Sequence, residues 1–162
     1  VSARVGIGYD SHRFAAGLPL RIGGVAVPHT HGLAGHSDGD VALHALVDAL
    51  LGAAALGDIG RHFPDDDPQW RGADSTRFVR RVVETLRSRS LAVGQVDLTV
   101  IAEQPRLGPF IEQMRAATAR ALGVEPDAVS IKAKTNEGMG WIGRGEGIAA
   151  LAVATVLHQD DG

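Results

Sequence analysis

Apolar residues recur along this chain with two periods, and the changes between them mark its elements. From Arg4 to Tyr9, Val5, Ile7 and Tyr9 alternate with glycines, which predicts a strand that another backbone can approach closely. Leu20 to Ile22 and Val25 to Val27 flank Gly23-Gly24, a hairpin signal, and Pro28 to Gly35 reads as loop. The period then becomes helical. Val41, Leu43, Leu46, Val47, Leu50 and Ala54 predict a helix from about Asp40 to Leu56, capped by Asp38 and ended by Gly57. Asp58 to Ala73 holds Pro64, three consecutive acids, Pro68 and Gly72, so it reads as a long polar loop of the kind that is functional or mobile. A second helix, capped by Asp74 or Ser75, runs to about Arg89 with Phe78, Val79, Val82, Val83 and Leu86 on one face. Val96, Leu98 and Val100 alternate with polar residues in a half-buried strand ending near Glu103. Pro109 suits the first position of a third helix, which Gly123 closes. Val129 to Lys134 is another alternating strand, and Gly138 to Gly147 a glycine-rich loop. Ile148 to Leu157 is almost unbroken apolar sequence, which predicts a strand buried on both faces.

Segregated helices and strands with hairpin signals imply an α+β fold, and 162 residues suit one domain spanning 1–162. Because only 4% of residues are aromatic against 44% apolar, the core must be built from Ala, Val, Leu and Ile. The net charge of −3 argues against a nucleic-acid surface. There is no Cys, so any metal site must use nitrogen and oxygen ligands. No apolar run has the length of a membrane span and no signal-peptide pattern opens the sequence, so the expectation is a soluble cytoplasmic protein.

Against this background the polar residues at element ends stand out. Asp10 and His12 are two apart and leave the same face of an extended segment. His44 lies one turn into the first helix, at the border of its apolar face. Two imidazoles and a carboxylate suffice for a catalytic zinc with one open position. The plainer reading is a strand-end turn and a boundary histidine paired with Asp40 or Asp48 one helical turn away, and spacing alone does not decide between them. If His44 is a ligand, Asp40 or Asp48 can orient its other nitrogen. His36 and Ser37 precede the helix, where capping groups and free N–H donors meet; His36 there suits a phosphate oxygen. Thr135 and Glu137 share one side of a strand end, a hydroxyl and a carboxylate that suit phosphate and a hard divalent ion, or else a solvated edge. Arg144, among three glycines, is a phosphate clamp or half of a turn salt bridge with Glu146. His29, His31, His62 and His158 lack comparable context and read as surface residues.

Six blocks of this sequence resemble the 2-C-methyl-D-erythritol 2,4-cyclodiphosphate synthase family. They are R-V-G-I-G-Y-D-S-H-R-F at 4–14, H-S-D-G-D-V-A-L-H-A-L at 36–46, L-L-G-A-A-A-L-G-D-I-G at 50–60, F-P-D-D-D-P at 63–68, K-A-K-T-N-E at 132–137 and G-R-G-E-G-I-A at 143–149. The resemblance implies a mixed β-sheet covered by helices on one face, assembled as a homotrimer with active sites between subunits. It implies cyclisation of 4-diphosphocytidyl-2-C-methyl-D-erythritol 2-phosphate with release of CMP, in the non-mevalonate isoprenoid pathway. It assigns a zinc ion to Asp10, His12 and His44, and a Mg²⁺ or Mn²⁺ ion between the substrate phosphates to Glu137. His36 and Thr135 stabilise transition-state charge, and Asp10, His12, His36 and Ser37 face the substrate. Asp58, Ile59, Gly60, Phe63, Pro64, Asp65, Asp66 and Asp67 line the erythritol part. Ala102, Glu103, Gln104, Pro105, Arg106, Leu107 and Gly108 shape a cytosine pocket. Lys134, Asn136, Trp141 and Arg144 complete the ligand contacts, and an isoprenoid diphosphate site lies on the threefold axis near Arg144 and Glu146. Lys134 departs from the family's frequent Thr, Trp141 from Phe and Arg106 from Lys.

Two other functions fit the residues. A metal-dependent nucleotide phosphodiesterase would use water in place of the internal phosphate. A non-catalytic nucleotide or isoprenoid-diphosphate binding module would carry a structural metal and show no turnover.

Overall fold

A computed structural model describes residues 2–159, so the expected span of 1–162 includes residue 1 and residues 160–162, which lie outside that description. The first strand, β1 (Ala3–Ala16), starts where the glycine alternation predicts and runs on well past Tyr9. Its second half carries Asp10, Ser11, His12 and Arg13, which strand propensity alone would not select. The antiparallel ladder to β7 (Gly147–His158) keeps them extended, pairing Asp10 with Ala150 and Arg13 with Gly147. The hairpin is as predicted: β2 (Leu20–Ile22) and β3 (Val25–Val27) form their own two-stranded sheet. Within the expected loop at 28–35, β4 (His31–Leu33) pairs with the end of β1, which three residues do not signal in sequence.

The main sheet also contains β5 (Leu91–Ile101) and β6 (Val129–Lys134), in the order β4-β1-β7-β5-β6. Only β5 and β6 are parallel, so the sheet is mixed. β5 begins earlier than Val96 because Leu91 to Val93 also pair with β7; a register shift between Val93 and Val96 breaks the alternation there.

The helices are α1 (Val41–Ala53), α2 (Ile59–His62), α3 (Thr76–Arg87), α4 (Ile111–Leu122) and α5 (Gly140–Gly143). Helix α1 packs on β1 and β7, α3 against β5, and α4 against β6. The stripe Phe78, Val79, Val82, Val83 and Leu86 is buried as periodicity predicts. Three boundaries differ from expectation. Asp40, not Asp38, caps α1 by accepting from Leu43 N–H at 3.1 Å, and α1 stops at Ala53 rather than Leu56. Pro109 lies in a 3-10 turn, Gly108–Phe110, and α4 starts at Ile111. The segment 58–73 is not a plain loop: it contains α2 and a 3-10 turn at Pro68–Trp70, elements too short to show periodicity.

The contact between α1 and the sheet is made of very small residues. An added side-chain carbon on Gly6 would lie 1.9 Å from Ala49 O, and one on Gly8 1.8 Å from Ala45 O. On β7, Ala150, Ala152 and Ala154 are fully buried. Backbone thus packs almost directly on backbone, which explains how the fold closes with few aromatic rings.

Burial on both faces of the last strand is not observed. Leu151 and Val153 are 38% and 42% exposed, and Val5, Ile7 and Tyr9 on β1 are more exposed still. These residues alternate with the buried ones, so the helix-free face of the sheet presents an apolar patch. Sequence alternation could not reveal this, because both faces carry apolar residues.

Gly8→Ala should lower unfolding free energy by roughly 3 kcal/mol, since neither backbone can give way. Gly52, on α1 with its nearest neighbour 3.9 Å away, should behave oppositely; Gly52→Ala should stabilise by about 0.5–1 kcal/mol. Paired denaturation curves check this, and equal effects of the two alanines would contradict the packing described.

Candidate metal centre

Because α1 lies so close to β1, its first turn brings His44 over the strand at Asp10 and His12. Asp10 Oδ2 lies 2.7 Å from His12 Nε2 and 3.2 Å from His44 Nδ1, and the two ring nitrogens are 3.1 Å apart. Among the described residues these three form a cluster able to hold a metal ion.

The hydrogen bonds behind the cluster set its protonation. His12 Nδ1 is 2.6 Å from the carbonyl of Ala34, which can only accept, so Nδ1 carries the proton. Neutral His12 therefore aims a lone pair from Nε2 at Asp10. His44 is fixed from the other side. The Ser75 hydroxyl donates to Asp38 Oδ1, and its oxygen accepts from His44 Nε2 at 2.9 Å. Ser37 Oγ lies 3.0 Å from the same nitrogen. The proton on Nε2 leaves the Nδ1 lone pair facing the cluster.

Two lone pairs and a carboxylate oxygen thus converge. Asp10 Oδ2 is buried and no hydrogen-bond donor is directed at it. Such an arrangement calls for a cation. On a tetrahedral zinc with ligand distances of about 2.0–2.1 Å, ligand atoms stand roughly 3.3 Å apart, close to the spacings seen here. The three groups are also coupled electrostatically. Burial raises the Asp10 pKa, but its contacts with His12 and His44 outweigh that and hold it at about 2. Burial lowers that of His12, yet the adjoining Asp10 carboxylate draws it above 6.5.

Sequence reasoning singled out the three residues of this cluster but not the residues that orient them. Asp40 and Asp48, the expected partners of His44, act elsewhere. Asp40 is wholly buried and accepts from Gly23 and Gly24 N–H at 2.9 and 2.7 Å, tying the β2–β3 turn to α1. Asp48 accepts from Ile59 N–H at 2.7 Å. The orienting pair is Ser75 and Asp38, which also accepts from Ser75 N–H at 3.0 Å. Both had read as helix caps, and their separation from His44 along the chain hid the relay.

The cluster opens into a cleft of about 200 Å³ that also touches His36, Ser37, Ile59, Gly60, Phe63 and Asp65. His36 Nε2 donates to Asp67 O at 3.0 Å and so holds the acidic segment against the mouth. Asp58 caps α2 through Arg61 N–H, while Pro64 and Asp66 belong to the same connection without lining the cleft. His62 is not a free surface residue, since its Nε2 donates to Leu56 O at 2.8 Å.

A second cleft, of about 360 Å³, gathers Ala102, Glu103, Pro105, Arg106, Leu107 and Gly108 with Lys134 and Thr135. Gln104 does not line it. Glu103 accepts from Asn136 N–H at 2.7 Å, fixing the turn in which Glu137 has a positive φ of 54°. Glu137 is exposed and joins no metal-binding cluster among the described residues. Trp141 is half-buried on α5, a helix within the expected 138–147 loop, and Arg144 pairs with Glu146 at 2.8 Å. The two clefts share no lining residue. β1 and β6 are three strand steps apart, about 14 Å at usual strand spacing.

Residues 3–157 match the model of the YgbB family. The chain is 58% identical over 158 residues to the 2-C-methyl-D-erythritol 2,4-cyclodiphosphate synthase of Bordetella petrii, covering 98% of each chain. It is 57% identical over 153 residues to that of Salinibacter ruber, covering 94% of this chain and 98% of the relative. A solved 2C-methyl-D-erythritol-2,4-cyclodiphosphate synthase with CDP bound superposes with a TM-score of 0.87 at 38% identity, over 95% of this chain and 100% of that one.

Replacing Ser75 and Ser37 together by Ala should free the His44 ring to choose the wrong tautomer. Divalent-metal affinity should fall roughly 10–100-fold, with Ser75→Thr retaining most of it. Competition with a chromogenic chelator measures this; unchanged affinity in the double variant would remove the relay.

Proposed function

Because the chain belongs to the YgbB family, we infer that it is a lyase that forms 2-C-methyl-D-erythritol 2,4-cyclodiphosphate in the non-mevalonate isoprenoid pathway. Its substrate is 4-diphosphocytidyl-2-C-methyl-D-erythritol 2-phosphate. An oxygen of the 2-phosphate forms a bond to the β-phosphorus, the bond from that phosphorus to the bridging oxygen breaks, and CMP leaves with that oxygen. The observation that carries the residue assignment is the converging donor set of Asp10, His12 and His44 around an oxygen that lacks a donor.

These three residues would hold zinc, which two imidazoles and one carboxylate suit. When bound, it supplies a Lewis acid that polarises a phosphoryl oxygen. Glu137 would help hold Mg²⁺ or Mn²⁺, and its exposure fits an ion whose other ligands are substrate phosphates. The protein's remaining work is to fold a flexible, highly charged substrate so that its ends meet, a contribution of position and charge rather than of a nucleophilic side chain. His36 and Thr135 donate to the phosphate oxygens as charge builds, and Lys134 and Arg144 add cations. Ser37, Asp58, Ile59, Gly60 and the 63–67 segment bind the erythritol part. The cleft at 102–108 takes cytosine, with Pro105, Leu107 and Ala133 offering apolar walls. Asn136 and Trp141 complete the contacts.

The protein acts as a homotrimer in which the metal cleft of one subunit meets the cytosine cleft of the next. Two features support this reading. The clefts lie three strands apart within one chain, and the helix-free sheet face exposes Val5, Ile7, Tyr9, Leu151 and Val153, an apolar patch that suits contact between subunits. The Arg144–Glu146 turn at the start of β7 then borders an axial site for an isoprenoid diphosphate.

Incubation with the authentic substrate should release CMP, and phosphorus NMR should show the cyclic diphosphate; chelator should abolish both. CMP together with an uncyclised phosphate monoester would identify a phosphodiesterase instead, and cytidine binding without turnover on metal-loaded protein a binding module.

Shared sites predict complementation. Gly108 has open space around it, so Gly108→Trp should fill the cytosine cleft without disturbing the fold. Equal mixing with His12→Ala should restore about a quarter of the sites, although each parent is inactive. No recovered activity after verified subunit exchange would refute the shared site.

A further inference from the structure

A groove larger than the metal cleft lies elsewhere on the molecule. It lies between the α2–310 segment and the outer face of α3, has a volume of about 700 Å³, and is lined by Arg77, Arg80 and Arg81 opposite His62, Gln69 and Trp70. One carboxylate, Glu84, faces it as well, and pairs with Arg81 at 3.6 Å on the surface. Among the described residues Arg77 and Arg80 form no ion pair with a carboxylate; Arg77 instead lies over the Trp70 ring, 5.3 Å from its centre.

These cations occupy the first two turns of α3, where the helix dipole is positive, and the first turn has no acidic residue. Three guanidinium groups at that end repel one another and the dipole. Nothing in the packing requires them, since all three are exposed while the opposite face of α3 fills the core. A concave wall with two unpaired guanidinium groups, Arg77 and Arg80, and a third, Arg81, shared only with exposed Glu84, on a chain of net charge −3, is complementary to a multiply charged anion.

We propose that this groove is a second anion site, distinct from the metal cleft, that binds phosphate-bearing small molecules of the diphosphate class between Arg77, Arg80 and Arg81. A single phosphate would leave one guanidinium unmatched, whereas two linked phosphates engage all three. The site adjoins the metal cleft through a common wall. Phe63 and Trp70 line both cavities, and their rings meet edge to face at 5.1 Å. An anion that draws Arg77 off the Trp70 ring therefore alters a wall of the metal cleft. The groove faces away from the sheet, so contact between subunits through the sheet leaves it open. The proposal does not depend on which reaction the chain catalyses.

The probe is inorganic pyrophosphate, titrated at constant ionic strength into full-length, metal-loaded Trp141→Phe protein. The chain has two tryptophans, so Trp70 is then the single indole. Its fluorescence should change saturably. In the same background Arg77→Gln/Arg80→Gln/Arg81→Gln should weaken the apparent affinity roughly tenfold or more, and Arg80→Gln alone by less. His36→Ala, in the metal cleft, should leave the response in place. A response that persists in the triple variant, or one lost in His36→Ala, would assign the anion to the metal cleft and overturn the proposal. The absence of a saturable response in the parent would overturn it equally. If the triple variant does not fold, an unaltered affinity in Arg80→Gln decides against the site.

Discussion

The close approach of α1 to β1 is the constraint on which the rest depends. Gly6 and Gly8 leave no side chain between strand and helix, and the carbonyls of Ala45 and Ala49 occupy the space. His44 is the neighbour of Ala45. With any larger residue at Gly8 the helix would stand off by at least the width of a methyl group, and the His44 imidazole would retreat from Asp10 by a similar distance. A metal centre tolerates errors of only a few tenths of an ångström in ligand distance. The small residues that close an aromatic-poor core are thus the same ones that set the ligand geometry, and fold and site cannot be varied independently here.

Depth alone would not give a usable centre, because an imidazole offers its lone pair from either nitrogen. Two different devices fix the choice. The carbonyl of Ala34 can only accept, which settles His12 directly. For His44 the contact is a hydroxyl, which could donate or accept, and the decision passes one step further out to Asp38. Asp38 is itself held by Ser75 N–H and by the guanidinium of Arg21 at 3.6 Å. The β2–β3 hairpin, which carries Arg21 and whose turn is tied to Asp40, therefore supports the metal centre from behind. A peripheral two-stranded element acquires a reason to exist.

What could be read from the sequence follows the range of the interactions. The α3 stripe, the Gly23-Gly24 hairpin and strand β6 were legible because each is specified by neighbours within a few residues. Asp10 and His12 were visible as a pair for the same reason, and His44 from its place on the border of a helical face. The relay through Ser75 was not, because Ser75 and Asp38 also serve as ordinary turn and cap residues and meet only after the chain has folded. The polar half of β1 was missed because its extension is imposed by pairing with β7. The exposure of Leu151 and Val153 was invisible in principle: an apolar residue that faces outward and one that faces a core obey the same alternation. The family resemblance supplied assignments where such long-range contacts decide, and the relay behind His44 was not among them.

Charge is distributed over the molecule in a way that matches these layers. The acids at 65–67 lie by the mouth of the metal cleft, with Asp67 O held by His36. Left alone, such a rim would repel a polyphosphate. The arginines of α3 stand directly beyond the Phe63–Trp70 wall and offset it, presenting positive potential on the solvent side. The opposite sheet face is apolar, with Val5, Ile7 and Tyr9 in a row. The helices and the α3 arginines thus lie on one side and this apolar strip on the other, bordered by the Asp97–Lys132 ion pair. That asymmetry separates an apolar surface from an anion-attracting one, and the hairpin-supported cluster of Asp10, His12 and His44 lies between the two.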